Sequence, residues 1–213
     1  EDLYQQIQEE KQKLIEDGKL KKEKSLAPIE DDEIPFDIPS NWKWGRLKNI
    51  CSKIVDGDHN PPKGENSATD YLMLSASNIN QDALIDLTKA RYLSKESYLK
   101  ENERTKLEKG DILLTTVGTI GRSCIFQGGM NICFQRSVTV ISTFVFNKYL
   151  KYMLDSNYVF SFMNNNAKGT AQKGFYLNQV DNLVVPIPPL AEQKRIVAKV
   201  EELLALCDKL KLK

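Results

Sequence analysis

Five short apolar runs constrain the fold of this chain more than any other feature of its sequence. Each run has the length and composition of a β-strand, and most are bounded by Gly, Asn or Pro. The runs lie at residues 71–74, 111–117, 122–126, 138–143 and 183–187. Short amphipathic helices are predicted between the last two runs, at 147–156 and 158–164. Strands mixed irregularly with short helices predict an α+β fold, since a Rossmann-type sheet needs a regular alternation of strands and helices.

The first 40 residues differ from the rest of the chain. A sparse stripe of apolar residues among Glu, Gln and Lys predicts an amphipathic helix over 1–17, which Gly18 ends. Three prolines and two charged runs then predict an extended strap over 19–40. We therefore place an N-terminal helix and linker at 1–22 and one globular domain of short strands and helices at 23–189.

The C-terminal segment, residues 190–213, is predicted to form a long helix. Its apolar stripe advances in steps of 4, 3, 4 and 3 residues, which is the spacing of a coiled-coil seam. The stripe consists of Ile196, Val200, Leu203, Cys207 and Leu210. An ordinary amphipathic core helix is the alternative, but we favour a helix about 36 Å long that pairs with a partner helix. Because the chain starts without Met and stops inside this pattern, we expect it to be part of a longer protein.

Metal, disulfide and membrane functions find little support in the sequence. The four cysteines form no Cys-x-x-Cys pair, so we expect reduced packing thiols. The single histidine, His59, cannot build a His-based zinc site, and we expect no metal and no cofactor. No apolar run approaches the roughly 20 residues of a membrane-spanning helix, so we expect a soluble, cytoplasmic chain.

The formal net charge of +1 hides an uneven distribution. Residues 1–40 contain 6 basic and 12 acidic side chains, whereas residues 41–180 contain 18 basic and 12 acidic ones. Within 110–180, six basic residues stand against two acidic ones. Phosphate binding needs only a local basic patch, so the near-neutral total does not argue against nucleic acid.

Four loops rich in small, amide and basic residues lie within the globular domain, at 57–64, 118–122, 135–136 and 167–174. Arg, Lys, Asn and Gln are the side chains that pair with guanine and adenine edges, and small residues let a backbone approach a ligand. Solvated hairpin turns are the simpler alternative. The candidate DNA-binding residues are Arg122, Arg136, Lys168, Gln172 and Lys173, followed by Lys63, Asn60 and His59.

Enzymatic alternatives centre on residues 56–62. Asn60-Pro61-Pro62 is the core of a motif that amino-methyltransferases use, but Lys63 occupies the place of the aromatic residue that stacks on the flipped base. Asp56, Asp58 and His59 resemble a metal-nuclease cluster, although Asp-Gly and Asn-Pro also form turns. A small methyltransferase or nuclease is therefore the runner-up interpretation, and a pure protein-interaction adaptor is the third.

Several segments together resemble the specificity subunit of type I restriction–modification systems. The most specific segment begins at residue 183 and reads LVVPIPPLAEQKRIVAKVEELLALCDKL, with a Pro-Pro-Leu-x-Glu-Gln-x-x-Ile core at 188–196. The other similar segments are KLIEDGKLKKEKSLAPIEDDE, IPFDIPSNWKWGRL, VDGDHNPPK, LSASNI, KGDILLTTVGTIGR and KGTAQKGF. Together these segments extend over nearly the whole chain, in the order and spacing of the family.

The resemblance implies a non-catalytic, sequence-specific DNA-recognition module. In that family a target recognition domain, here 23–189, reads one half of a split site in double-stranded DNA. A spacer helix, here 190–213, holds it apart from a second domain, and methyltransferase subunits dock on the subunit. Restriction and translocase subunits join through the complex. A chain with one recognition domain is then half a subunit, and it pairs with a second half-subunit or with itself through the spacer helix.

Overall fold

The computed structural model describes residues 2–22, 24–170 and 172–211, with the backbone alone at Lys211. The predicted ends of the first and last helices, at Glu1 and at 212–213, lie outside the described residues. So do Glu23, where the globular domain was predicted to begin, and Ala171 in the loop 167–174.

Six α-helices and nine β-strands alternate irregularly along the described chain, which confirms the predicted α+β class. The helices are α1 (Leu3–Glu16), α2 (Lys95–Thr105), α3 (Asn147–Leu154), α4 (Asn157–Asn166), α5 (Leu177–Asn182) and α6 (Leu190–Lys211). The strands are β1 (Lys43–Arg46), β2 (Cys51–Asp56), β3 (Tyr71–Leu74), β4 (Arg91–Tyr92), β5 (Ile112–Thr115), β6 (Ser123–Ile125), β7 (Asn131–Phe134), β8 (Val138–Thr143) and β9 (Val184–Ile187). Each of the five predicted runs is a strand.

Three small sheets organise the strands. The largest is antiparallel in the order β2-β8-β5-β6, and the second has the order β4-β3-β7. In the second sheet β3 runs parallel to β7, with Leu74 opposite Phe134. The third sheet pairs β1 with β9, which ties the beginning of the globular part to the segment just before α6.

The four-stranded sheet separates two hydrophobic cores, and strand β5 shows how. Successive side chains of a strand point to opposite faces. Ile112 and Leu114 therefore face a core that contains Leu150 of α3, whereas Leu113 faces a second core that contains Phe134. These three residues of β5 are fully buried, and burying a side chain of this size contributes about 1.5–3 kcal/mol.

Helix α1 packs on this body in spite of its sparse apolar stripe. Ile7 is only 2% exposed and belongs to the same core as Leu150. The strap that follows is held by Arg46, whose guanidinium is buried and donates hydrogen bonds to the carbonyl oxygens of Ala27 and Pro28. Within residues 24–40 the strap contains no regular element other than a short 3-10 turn at Asp31–Glu33.

The cysteines are all free, but one of them differs from the expectation. Cys51, Cys124 and Cys133 are buried, as packing thiols should be. Cys207 is exposed instead, as are all its neighbours on α6 from residue 202 to 210. No helix among residues 2–22, 24–170 and 172–211 is long and apolar enough to cross a bilayer.

Candidate nucleic-acid interface

The turn at 135–136 lies at the centre of the candidate site because two other loops are bonded to it. The backbone N–H of Asp58 donates to the carbonyl of Phe134 at 2.8 Å, and the N–H of Arg136 donates to the carbonyl of Asp58 at 2.9 Å. Gly57 makes this approach possible, since a Cβ atom there would lie 2.1 Å from the Phe134 oxygen. The loop that carries His59 is thereby joined to the turn that carries Arg136.

The loops at 117–119 and 168–174 meet on the other side of the same turn. The N–H of Thr116 donates to the carbonyl of Ser137 at 3.0 Å, and the N–H of Gly118 donates to the carbonyl of Lys173 at 3.0 Å. Within the second loop, Lys168 and Gly174 form a two-way backbone bridge. Long-range backbone bonds thus bring together loops that are far apart in the sequence.

A fourth segment, Ser75 to Ser77, completes the site. It lies within the family-like segment LSASNI, but it is not among the four loops predicted from the sequence to bind DNA. It follows β3 directly, and the N–H of Ala76 donates to the hydroxyl of Ser137 at 3.0 Å. A run of Ser and Asn after an apolar strand is the signal in the sequence, but such runs also form ordinary turns. We call residues 58–60, 75–77, 117–119, 135–137, 168–170 and 172–174 together the loop cluster.

The loop cluster encloses an open cavity of about 390 Å³. Most of its lining residues carry polar side chains, among them Ser75, Ser77, Ser137, Gln135, Gln172 and Arg136. Hydroxyl, amide and guanidinium groups form hydrogen bonds with the edges of base pairs. Two of the eight predicted DNA-binding residues, Arg136 and Gln172, therefore line this cavity.

The two predicted arginines, Arg122 and Arg136, differ in the partners of their guanidinium groups. Arg136 is exposed, and no ion pair or hydrogen bond of its side chain occurs within the described part of the chain. Arg122 is half-buried, and its guanidinium donates to the carbonyl of Ile79 at 3.4 Å. Arg136 is thus free to bind a ligand, whereas Arg122 also ties its loop to the segment that follows Ser77.

The remaining predicted residues lie around the cavity. Lys168 and Lys173 are exposed on the same loop as Gln172. His59 and Asn60 are exposed beside the 135–136 turn. Lys63 lies outside the lining, on a segment bonded to β4 through the N–H of Glu65, which donates to the carbonyl of Tyr92 at 2.8 Å.

The carboxylate of Asp56, which the enzymatic alternative would use, is already paired with other side chains. Both oxygens of Asp56 are occupied, one by an ion pair with Arg104 and the other by His59 Nε2 at 2.7 Å. The side chain of Asp58 accepts the N–H of Asn60 at 3.1 Å, which is the hydrogen bond of an Asx turn. Within the described residues, no group of three metal-ligating side chains could hold an ion.

The predicted spacer helix is partly packed and partly exposed. Ile196 and Val200 are half-buried, because the first turns of α6 lie against α3. Farther along, Leu203 is 49% exposed and Leu210 is 71% exposed, and Cys207 lies between them. The exposed stripe is wider than predicted, since Leu204 and Leu206 also face solvent.

The known proteins to which this chain is similar belong to one family. The sequence profile of the type I restriction modification DNA specificity domain matches residues 39–212. The chain is 32% identical over 200 residues to the specificity subunit of the type I restriction enzyme EcoBI of Escherichia coli, which covers 90% of this chain and 41% of that protein. It is 25% identical over 224 residues to the EcoEI specificity subunit of the same species, which covers 99% of this chain and 37% of that protein.

The fold is also similar to a solved structure, that of the HsdS subunit from Thermoanaerobacter tengcongensis. The TM-score is 0.61 at 19% identity, over 98% of this chain and 47% of that one. This chain thus spans about two fifths of the length of its curated relatives and about half of the solved chain.

Proposed function

The chain belongs to the family of type I restriction–modification DNA specificity domains, and on that premise we propose that it reads one half of a split DNA site. Residues of the loop cluster enter the major groove, where each base pair presents its own pattern of donors and acceptors. The observation that carries this proposal is the open cavity whose lining includes Gln172 and Arg136, the latter with no side-chain partner in the described chain.

In this proposal the side chains of the loop cluster have two roles. Arg136 and Gln172 contact base edges and give discrimination between sequences. Lys168 and Lys173, which are exposed on the same loop as Gln172, contact phosphates and give affinity without sequence preference. Arg122, His59, Asn60 and Lys63 flank the contact and have smaller effects.

The chain performs no chemistry itself in this proposal. Methyl transfer and cleavage belong to other subunits, which bind to the specificity subunit in the cytoplasm, where the chromosome lies. The exposed stripe of α6 pairs with a helix of a second half-subunit, of a second domain or of another copy of this chain. That pairing sets the distance between the two halves of the DNA site.

Selection of DNA from a random pool tests the proposal. The chain is mixed with its methyltransferase subunit, and the bound DNA is recovered and sequenced. We expect enrichment of a short fixed motif, which appears twice at a constant spacing if two copies act together. Recovery of unenriched DNA would contradict sequence-specific recognition.

The same preparation separates the two alternatives. If the chain alone transfers a labelled methyl group from S-adenosylmethionine to DNA, the residues 56–62 act as a methyltransferase and the proposal is wrong. If no salt-dependent DNA binding occurs even with the methyltransferase present, the chain is a protein-interaction adaptor.

A further inference from the structure

A fully buried glutamine lies where the spacer helix leaves the globular body. Gln193, in the first turns of α6, is 0% exposed. Its carbonyl oxygen accepts the backbone N–H of Phe146 at 2.9 Å, and its amide nitrogen donates to the carbonyl of Pro188 at 2.8 Å. A buried amide is costly unless its donor and acceptor are both used, and here both are.

These two hydrogen bonds join separate elements. Phe146 is the residue at the N-terminus of α3, and its own side chain provides no cap. Pro188 belongs to the turn between β9 and α6. Gln193 thus takes the place of a helix cap for α3 while it holds the beginning of α6 to the end of β9.

The packing around Gln193 ends shortly after it. Val197, one turn farther on, is 3% exposed and belongs to the hydrophobic core. At the surface Lys148 of α3 pairs with Glu201 of α6 at 2.7 Å. From residue 202 to 210 every side chain is exposed, so the buried side chains that anchor α6 lie in its first half.

We infer that Gln193 is a positioning residue, which fixes the direction in which the spacer helix leaves the DNA-reading domain. This inference rests on the proposed function. From Gln193 to Lys211 the helix extends 18 residues, or about 27 Å. A tilt of about 10° at Gln193 would move the far end by about 5 Å, more than the roughly 3.4 Å between successive base pairs of one strand.

A distance measurement between two spin labels tests the direction of the helix in the whole chain. Lys209→Cys carries one label on the face of α6 opposite the apolar stripe, and Lys100→Cys on α2 carries the other. Cys207→Ser removes the exposed native thiol, whereas burial raises the pKa of Cys51, Cys124 and Cys133 to about 12 and keeps them unlabelled. Labelled protein is diluted with unlabelled protein, so that distances between copies do not contribute.

Gln193→Met keeps the size of the side chain and removes both hydrogen bonds. We expect one narrow distance in the parent and, in the variant, a shift or broadening of about 5 Å. Lys194→Ala, at the exposed neighbouring position, is the matched control and should keep the parent distance. If Gln193→Met does not fold, Gln193→Asn keeps a neutral amide but shortens its reach. A parent-like distance in the folded variant would overturn the inference.

The second measurement uses DNA, and its result should change only if the direction of the helix matters for function. The chain, with its methyltransferase subunit, is offered duplexes with two half-sites at spacings that differ by single base pairs. We expect the parent to prefer one spacing. In Gln193→Met the ratio of the affinities for the preferred and the other spacings should fall at least fivefold, while the affinity for a single half-site stays unchanged. An unchanged preference overturns the inference. If the parent itself binds single half-sites but prefers no spacing, the split-site proposal fails, and the spin-label distance alone decides the role of Gln193.

Discussion

The side-chain amide of Gln172 lies against the backbone of Gly118, so closely that a Cβ atom on Gly118 would be 2.7 Å from Gln172 Nε2. Gly118 also has a φ of +79°, in the left-handed region that residues with a side chain rarely adopt. Two loops of the loop cluster therefore meet at Gly118, and a methyl group at this position would displace the end of the Gln172 side chain.

Gly118→Ala tests whether that position matters for DNA binding. We expect a loss of about 1–2 kcal/mol in the free energy of unfolding from the positive φ, together with at least a fivefold loss of DNA affinity as the amide is displaced. Gly129→Ala is the matched control, because Gly129 has a φ of +82° and open space around it. It should lose similar stability and keep its DNA affinity. Thermal unfolding and fluorescence anisotropy measure the two quantities, and equal DNA binding by both variants would contradict the placement of Gln172.

Arg136→Ala is expected to reduce discrimination between DNA sequences. The guanidinium is exposed and has no partner in the described chain, so its removal should leave stability unchanged. One bidentate contact to guanine is worth about 1–3 kcal/mol of discrimination, so preference should relax at one position of the site. Arg136→Lys keeps the charge and should lose most of the preference too. Lys109→Ala, beyond the opposite end of β5, is the control, and parent-like discrimination by Arg136→Ala would contradict base contact.

Lys168→Ala and Lys173→Ala should weaken the binding of all sequences alike. Each lysine that contacts a phosphate adds about 0.9 to the slope of log affinity against log salt concentration. We expect each substitution to lower the slope by about that amount, without changing which sequence is preferred. Titrations at several salt concentrations measure this slope, with Lys109→Ala again as the control. A changed sequence preference would instead place the lysine on a base edge.

The apolar runs in the sequence predict five of the nine strands in the described chain, and they miss β1, β2, β4 and β7. Strand β2 is not predicted because Lys53 lies within it. That side chain finds its partners only through tertiary contacts, with the carbonyl of Lys106 at 2.7 Å and with Asp111 at 2.9 Å. Helix α2 is not predicted because it carries few apolar residues, and one of them, Leu99, is 52% exposed. The cap at Ser94, which accepts the N–H of Ser97, helps to define this helix locally.

The candidate site, too, could be predicted only in part from the sequence. Residue chemistry suggested Arg136 and Gln172, but their common cavity depends on backbone bonds between loops, such as that from Asp58 to Phe134, and these follow from sheet register. Arg122 has the same chemistry as Arg136, yet its guanidinium bonds to a carbonyl of its own chain. No feature of the sequence separates the two arginines, since the difference arises from the packing of distant segments.

The ion pair between Glu33 and Arg46 should make the strap sensitive to acid. The hydrogen bond from Arg46 lowers the pKa of the Glu33 carboxyl, and the N–H of Glu30 lowers it further. A lowered pKa in the folded state stabilises the protein above the ordinary pKa of glutamate, and this contribution is lost as the pH falls through the lowered value.

We therefore expect Glu33→Gln to reduce the free energy of unfolding by about 1 kcal/mol at pH 7, a modest value because more than a third of the Glu33 side chain is exposed. The difference from the parent should disappear in acid. Asp37→Asn makes the same change of charge at an exposed position of the same strap and is the control. Urea titrations at several pH values measure the difference, and a difference that persists in acid would exclude the ion pair as its cause.

The exposed stripe of α6 is predicted to be a contact between helices. Leu203 and Leu210 lie largely in solvent, so replacing both with Glu should leave the unfolding temperature of the monomer unchanged while it abolishes association. Lys209→Glu changes the net charge by the same two units, and its position on the opposite face makes it a matched control. Sedimentation of the chain, alone and with its methyltransferase subunit, measures association. Glu on the stripe opposes burial, whereas Glu at 209 stays in solvent, so only the double variant should dissociate. Equal effects of the double variant and of Lys209→Glu would show that charge, not apolar contact, holds the helices together.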